Sequence, residues 1–233
     1  MARKADLRLQ RAGTVVNLTS KQQETALGKA LKKVVARLQV DFGLQLHHAK
    51  TAKLADILNG LETDFTEVPF GNVRPDTSMK PDGGILSVVD REGHRHAILI
   101  VEVKNQGTNA ERIAEGLKEQ AKGNAIERLG KNVIGFRAML LTENIMPFVC
   151  FGYGCDFAKG SSILDRVVTI AMFGSLNEIN LFNVSEFNRG SFYFQEKKWS
   201  IKKMEEVMYE VASRSIDYYR AKHGRRAFPP PAA

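Results

Sequence analysis

A buried strand that ends in two charged residues is the feature that most constrains the fold of this chain. Residues 97–101 are an almost unbroken apolar run, which is typical of a strand covered on both faces of its sheet. Glu102 and Lys104 follow this run and are separated by a single apolar residue. Because side chains alternate along a strand, the carboxylate and the ammonium group are expected on the same face.

A second carboxylate lies just before the first strand of a predicted hairpin, whose second strand is the one described above. Asp82 lies in a Pro-Asp-Gly-Gly turn sequence that opens onto an apolar strand at 85–89. A polar turn at 90–93 then leads into the strand at 97–101. If the two strands pair as neighbours, Asp82 lies near Glu102. Two carboxylates beside an ammonium group can hold a hard divalent cation and orient a water molecule.

Taken one at a time, these short motifs have ordinary structural explanations. A Glu-x-Lys sequence is usually a solvated strand end, and Pro-Asp-Gly is usually a turn. Their order is more specific, because Pro81-Asp82, a connection over 83–101 and then Glu102-x-Lys104 form the motif of the PD-(D/E)XK nuclease superfamily. The sequence therefore favours a nuclease over a purely structural hairpin.

Length and composition are those of a globular protein with one sizeable core. The chain has 233 residues, of which 43% are hydrophobic and 26% charged. Its apolar runs are too short to span a bilayer and its N-terminus lacks the apolar stretch of a signal peptide, so we expect a cytoplasmic protein without a membrane partner. A net charge of +8 suits a polyanionic partner but does not identify one. Cys150 and Cys155 are predicted to be free thiols.

Three regions are predicted along the chain. They are a basic flexible arm over 1–19, a single folded domain, the candidate endonuclease domain, over 20–222, and a disordered tail over 223–233. Ser20 is expected to cap the first helix and Ser200 the last. The other predicted elements are a helix at about 49–62, a strand at 147–152, a helix from 161 to about 173 and strands within 178–198.

Two pairs of histidines are candidate metal ligands by residue type alone. His94 and His96 are spaced for one face of a strand, but they start the second hairpin strand, so an exposed polar edge is the favoured interpretation. His47 and His48 precede the helix at about 49–62 without a further ligand at useful spacing. The sequence therefore predicts no metal site at either pair.

A second informative stretch is the predicted helix from Gly123 to about Leu141. Its expected buried stripe is Ile126, Leu129, Val133, Phe136 and Leu140. The structural interpretation of its first residues is an ordinary capped helix start. The functional interpretation is a helix end in a DNA major groove, where Asn124 can pair with adenine, Arg128 with a purine N7 and Glu127 with an exocyclic amine. Ala125 could contact a thymine methyl group. Chemistry alone leaves both interpretations open.

Three stretches together resemble the EcoRI family of type II restriction endonucleases. They are 80–84, then 102–104 with Gln106-Gly107, then 123–128 with Lys131-Asn132, and they occur in the order of the family. A weaker similarity covers most of the chain, from the helix near 24 to a helix at 204–216, with Leu164-Asp165-Arg166 between them. The resemblance implies an α/β fold with a central mixed β-sheet flanked by helices, as in restriction endonucleases.

This resemblance implies a Mg²⁺ site and a set of catalytic residues. Asp82 and Glu102 would be catalytic and would ligate Mg²⁺ together with the backbone carbonyl of Val103. Lys104 would position the attacking water or help to deprotonate it. Hydrolysis would leave a 5′-phosphate, a 3′-hydroxyl and a 5′ overhang.

The same resemblance implies double-stranded DNA as the substrate and a homodimer as the active form. The residues that would read the bases of an AATT core are Gly123, Asn124, Ala125, Glu127 and Arg128. Contacts to the DNA backbone would come from Lys80, Lys122 and Arg166. A palindromic site calls for a homodimer with a matching twofold axis. A partner methyltransferase would protect host sites by methylating adenine.

Departures from the family pattern leave the outer base pair open. Gln120, Ala121 and Lys122 stand where the prototype has Met-Ala-Ala, and this position bears on the outer base pair. Gln120 and Ala121 are therefore candidate outer-base readers, and GAATTC, CAATTG and a purine-AATT-pyrimidine site are all compatible. The segments 105–122 and 154–162 look shorter than in the prototype, so the chain is expected to wrap its DNA less fully.

Two other functions compete with this one. A structure-selective repair or junction nuclease would keep the active site, but it would not need the base-reading cluster at 123–128. A DNA-binding protein without catalysis would keep the basic charge, but it would not need two carboxylates facing a phosphate.

Overall fold

The computed structural model describes residues 15–67, 71, 73–105, 109–118, 123–154, 167, 169–170 and 191–230. The helices in these ranges are α1 (Val15–Phe42), α2 (Leu54–Asp64), α3 (Asn109–Ala114), α4 (Gly123–Met139) and α5 (Ile201–His223). The strands are β1 (Leu46–Ala49), β2 (Ala52–Lys53), β3 (Ser78–Met79), β4 (Gly84–Val89), β5 (Arg95–Asn105), β6 (Phe148–Tyr153) and β7 (Phe192–Gln195).

A five-stranded mixed sheet organises these elements in the order β1-β4-β5-β6-β7. The β1-β4 and β4-β5 pairs are antiparallel, whereas β5-β6 and β6-β7 are parallel. The strands β2 and β3 form a separate antiparallel pair. The expected central mixed sheet flanked by helices is therefore confirmed.

The central strand β5 is buried on both faces, as its apolar sequence predicts. On one face the core contains Val101 and Val103 with apolar residues of α1 and α5, such as Leu27 and Met208. On the other face, Ile100 belongs to a second core with apolar residues of α2 and α4. Alternation along β5 continues this second face through Glu102 and Lys104, so both charges project toward the layer that contains α4.

Several local predictions from the sequence are confirmed by the described residues. Ser200 caps α5, because its Oγ accepts a hydrogen bond from the backbone N–H of Lys203 at 3.2 Å. Leu129, Val133 and Phe136 are buried along α4 as predicted, and Leu140 is buried directly after its end. Cys150 is a buried free thiol. Among the described helices, none is long and apolar enough to cross a membrane.

Two predicted helix starts are wrong. Helix α1 begins at Val15 and not at Ser20, so residues 15–19 are helical and not part of a flexible arm. No proline or glycine interrupts the chain between these positions, and a helix can therefore propagate through them. Helix α2 begins at Leu54 and not near 49, because Leu46–Ala49 pairs with β4 as an edge strand.

The predicted disordered tail is also wrong as far as residue 228. Gly224 has φ +85°, which ends α5 and turns the chain back toward the β4-β5 hairpin. The backbone N–H of Arg91 then donates to the carbonyl of Ala227 at 2.9 Å, and Phe228 is 5% exposed. The tail therefore contributes an aromatic side chain to the core.

Several predictions fall outside the described residues. These are the arm over 1–14, Cys155, the start of the helix expected at 161–173 and the strand expected at 179–182. Residues 167 and 169–170 are helical, as expected for the helix at 161–173.

Candidate active site

The β4-β5 hairpin positions Asp82 against the end of the central strand. Gly84 pairs with Val101, and the backbone N–H of Gly83 donates to the carbonyl of Val101 at 2.9 Å. This register brings the turn alongside Val103, whose N–H donates to Oδ2 of Asp82 at 3.0 Å. The side-chain orientation of Asp82 is therefore fixed by the backbone of the strand that contains Glu102.

Gly84 is required where the turn enters β4. Its φ is +75°, and a Cβ atom there would lie 2.5 Å from Nε2 of His48 and 2.6 Å from the carbonyl oxygen of Ala49. The same His48 Nε2 lies 2.9 Å from the carbonyl oxygen of Gly83. The edge strand β1 thus packs directly on the turn that contains Asp82.

Asp82, Glu102 and Lys104 form one hydrogen-bonded cluster, the carboxylate–lysine cluster. Nζ of Lys104 donates to Oε2 of Glu102 at 2.8 Å and to Oδ2 of Asp82 at 3.4 Å. The side chain of Glu102 is 1% exposed, whereas that of Asp82 is 25% exposed. The structure therefore brings together the three residues that the sequence motif singled out.

The electrostatics of the cluster are those of a site that lacks positive charge. Burial, with the nearby Asp82 carboxylate adding to it, raises the pKa of Glu102 to about 7, although the Lys104 ammonium opposes the shift. Burial alone would lower the pKa of Lys104, but the two carboxylates outweigh it and raise that pKa. Two carboxylates thus share one cation, and a divalent cation would supply the missing charge. Carboxylate and carbonyl oxygens are also the ligands that hard divalent cations prefer.

Asn132 is the residue of this site to which sequence reasoning gave no role. It lies on α4, and its side-chain amide donates a hydrogen bond to Oε1 of Glu102. The two oxygens of Glu102 are therefore held by different elements, one by Lys104 on β5 and one by Asn132 on α4. The adjacent Lys131-Asn132 pair in the family resemblance was the only signal for this contact.

The predicted base-reading residues lie at the start of the same helix. Gly123, Asn124, Ala125, Glu127 and Arg128 all belong to the first turns of α4, and Glu127 is exposed. One further turn along this helix is Asn132, which contacts Glu102. A single helix therefore connects the predicted reading end to the carboxylate–lysine cluster. Gln120, Ala121, Lys122 and Arg166 lie outside the described residues.

A cavity bordered by three lysines opens beside Asp82. It measures about 430 Å³ and lies between α1, the end of β1 and the Pro81–Gly84 turn. Lys32, Lys50 and Lys80 line it and are all exposed. Lys80, one of the predicted DNA-backbone contacts, therefore lies next to the carboxylate–lysine cluster. It belongs to a group of three lysines whose positive charge suits a polyanion.

The histidine pair at the far end of β5 differs from its prediction. His94 is exposed as expected, but the side chain of His96 is only 13% exposed. Its Nε2 lies 2.9 Å from Oδ2 of Asp90, and the rings of Tyr219 and Phe228 lie 5.0 and 5.5 Å away. The expected exposed polar edge is thus wrong for His96, because the end of α5 and the tail cover it.

Comparison with known proteins agrees with this fold. The sequence model of the family described as restriction endonuclease EcoRI matches residues 10–163. A mixed sheet with a carboxylate–lysine cluster at the end of its central strand is the architecture of a restriction endonuclease. The chain belongs to the EcoRI restriction endonuclease family.

Two curated relatives are similar to the chain. The type II restriction enzyme RsrI of Cereibacter sphaeroides is 34% identical over 175 residues, which cover 60% of this chain and 63% of that protein. The type II restriction enzyme EcoRI of Escherichia coli is 27% identical over 237 aligned positions, which cover 84% of this chain and 85% of that protein. The match to RsrI thus spans less than two thirds of its length.

Proposed function

We propose that this chain is a type II restriction endonuclease that hydrolyses both strands of double-stranded DNA at a palindromic site with an AATT core. The observation that carries the proposal is the carboxylate–lysine cluster, which hydrogen-bonds through Asn132 to the helix that begins with the predicted base-reading residues. The names of the two relatives support the reaction class.

Asp82, Glu102 and the backbone carbonyl of Val103 would hold a divalent cation, for which we propose Mg²⁺. When bound, the cation supplies stabilisation of the charge that develops on the scissile phosphate and the leaving oxygen. Val103 keeps Asp82 in position through its N–H, and Asn132 keeps Glu102 in position through its amide. These two bonds preorganise the carboxylates before DNA arrives.

Lys104 would position the attacking water. Its raised pKa keeps the ammonium group protonated at neutral pH, so the residue donates hydrogen bonds and does not accept the proton of water in this state. The family resemblance also allows Lys104 to help deprotonate the water, and a bound cation would lessen the effect of the two carboxylates on this pKa, so both roles belong to the proposal. Cleavage of the bond to the 3′ oxygen leaves a 5′-phosphate and a 3′-hydroxyl.

The AATT core would be read from the start of α4 by Asn124, Ala125, Glu127 and Arg128, with Gly123 as the first residue of the helix. Gln120 and Ala121 would bear on the outer base pair, for which GAATTC, CAATTG and a purine-AATT-pyrimidine site are the candidates. Lys80, Lys122 and Arg166 would contact DNA phosphates. The palindrome requires a homodimer, and a partner methyltransferase would protect the same site in the host.

Cleavage mapping tests the proposal directly. Purified protein is incubated with Mg²⁺ and a phage DNA rich in AATT sequences, and the ends are sequenced. We expect cuts only at AATT-centred sites with 5′ overhangs, which would also identify the outer base pair. Discrete cuts elsewhere would refute the base-reading assignment while keeping the nuclease. Tight binding without cleavage would favour a non-catalytic DNA-binding protein.

The base-reading helix has its own test. Replacement of Asn124 by alanine should cost about 1–3 kcal/mol of discrimination at adenine, because a bidentate contact to the base edge is lost. Asn59→Ala, on the exposed side of α2, is the matched control. An unchanged preference among single-base site variants would contradict the assignment.

A further inference from the structure

We propose that His96, Glu143 and His223 form a second metal site, which binds a transition-metal dication such as Zn²⁺. One potential ligand atom from each of the three residues lies within 4.8 Å of the others. His96 is at the start of β5, whereas Glu102 is near its end, so about 20 Å of strand separates this site from the carboxylate–lysine cluster. The proposed site is therefore distinct from the proposed catalytic one.

His96 has a carboxylate partner of the kind that metal-ligating histidines have. Its Nε2 lies 2.9 Å from Oδ2 of Asp90, while its Nδ1 has no hydrogen bond to any of the described residues. Asp90 is itself fixed, because its Oδ1 accepts from the backbone N–H groups of Glu92 at 2.9 Å and His94 at 2.8 Å. A histidine that ligates a metal characteristically bonds a carboxylate through its other ring nitrogen.

Glu143 offers a carboxylate oxygen to the same place. The hydroxyl of Tyr218 and Nζ of Lys222 both donate to its Oε2, at 3.1 and 2.7 Å. Both of these bonds end on Oε2, so in the described part of the chain Oε1 of Glu143 is left available as a metal ligand. Lys222 also opposes a cation by charge repulsion, so its removal is expected to strengthen binding.

His223 is the third potential ligand, and its movement can bring the three ligand atoms closer together. It is the exposed last residue of α5, and its ring centroid lies 4.8 Å from that of His96. Metal–ligand bonds of about 2.0–2.2 Å in a tetrahedral site bring ligand atoms to roughly 3.5 Å from one another, so the cluster must contract by about an ångström. The C-terminal end of a helix favours a cation through the helix dipole. Gly224, which follows His223, permits this contraction of the site.

The donor set determines which metals fit. Two imidazoles and one carboxylate suit Zn²⁺, Co²⁺ or Ni²⁺, whereas Mg²⁺ and Ca²⁺ prefer oxygen ligands. The three residues come from β5, from the loop after α4 and from the end of α5. A bound ion would thus cross-link the C-terminal helix to the central sheet.

The test titrates Co²⁺ into the full chain with Asp82→Asn, which removes a ligand of the proposed catalytic site. Calorimetry and the visible absorption of Co²⁺ are read together at neutral pH. We expect one equivalent with the absorption of a tetrahedral nitrogen–oxygen site. Adding His223→Ala should weaken binding by about 100-fold or more, and Lys222→Met should strengthen it several-fold, while Asp217→Asn, an exposed carboxylate on the same helix, serves as the control.

Two results would overturn the proposal. One is the absence of Co²⁺ binding to the Asp82→Asn chain, and the other is binding that His223→Ala leaves unchanged. His223 is exposed, so its replacement tests the site without removing a core residue, and circular dichroism confirms folding. The readout is metal binding and not cleavage, so failure here is independent of failure of the proposed nuclease function.

Discussion

Asn132 donates a hydrogen bond from its side-chain amide to Oε1 of Glu102, and this bond joins α4 to the central strand of the sheet. Glu102 is otherwise held by Lys104, two residues along the same strand. Helix α4 starts with the residues that we propose to read DNA bases. A displacement of this helix on DNA would therefore act on a carboxylate of the proposed catalytic site.

Asn132→Ala should reduce the rate of cleavage by about 10–100-fold, because loss of an outer-shell hydrogen bond leaves a ligand poorly oriented. The divalent cation concentration needed for half-maximal rate should rise, whereas DNA binding without the cation should change little. Asn59→Ala, an exposed asparagine of α2, is the matched control. An unchanged cation requirement would remove Asn132 from the positioning of Glu102.

Lys104→Ala should abolish cleavage and spare DNA binding, because it removes the ammonium group that bridges Asp82 and Glu102. We expect a fall of at least about 10³-fold in the single-turnover rate, which reports the chemical step separately from binding. Lys202→Ala, an exposed lysine of α5, controls for the change in net charge. Retained turnover would exclude Lys104 from the mechanism.

Glu102 should make stability depend on pH in the absence of divalent cations. Burial raises its pKa from 4.5 to about 7, so between these pH values the folded state binds more protons than the unfolded one. The free energy of unfolding should therefore fall as pH rises through this window, by at most about 3 kcal/mol.

Denaturant titrations across this pH range measure the effect. Glu102→Gln should flatten the slope, and added Mg²⁺ should oppose the fall in the wild-type chain because it binds the deprotonated carboxylate. Glu196→Gln, at an exposed position, is the control. A slope that Glu102→Gln does not alter would assign the pH dependence to another group.

Gly84→Ala should destabilise the chain by about 3 kcal/mol or more and impair cleavage. The new methyl group would meet His48 and the backbone of Ala49, in addition to the strain of a positive φ. Gly93→Ala measures the cost of backbone strain alone, since Gly93 has φ +87° and open space around it. It should lower the free energy of unfolding by about 1 kcal/mol. Thermal unfolding of the two variants gives the comparison, and equal losses would contradict close packing of β1 on the turn.

The parts of the site that sequence alone predicted are those with local patterns. Asp82, Glu102 and Lys104 could be brought together because turn chemistry and strand alternation act over one hairpin. The start of α4 could be assigned because apolar residues recur at helical spacing. These signals come from neighbouring residues, so no knowledge of the rest of the fold was needed.

The parts that were missed depend on contacts between distant segments. The edge strand Leu46–Ala49 has two histidines and only four residues, and its pairing with β4 is what makes it a strand. Phe228 lies among glycine, arginine and proline residues that suggest disorder, yet the ring enters a core formed by His96 and Tyr219. The bond from Asn132 to Glu102 likewise follows from packing of α4 on the sheet, which periodicity cannot specify.

The confinement of Asp82, Glu102 and Lys104 to one hairpin has a consequence for the order of folding. Contacts between residues close in sequence form sooner than distant ones, and hairpins form in about 1–10 μs. The parallel partner β6 must instead be recruited across α3 and α4, and β7 from farther still. The carboxylate–lysine cluster is therefore expected to form before the sheet is complete. It is also expected to form before α4 packs against Glu102 through Asn132.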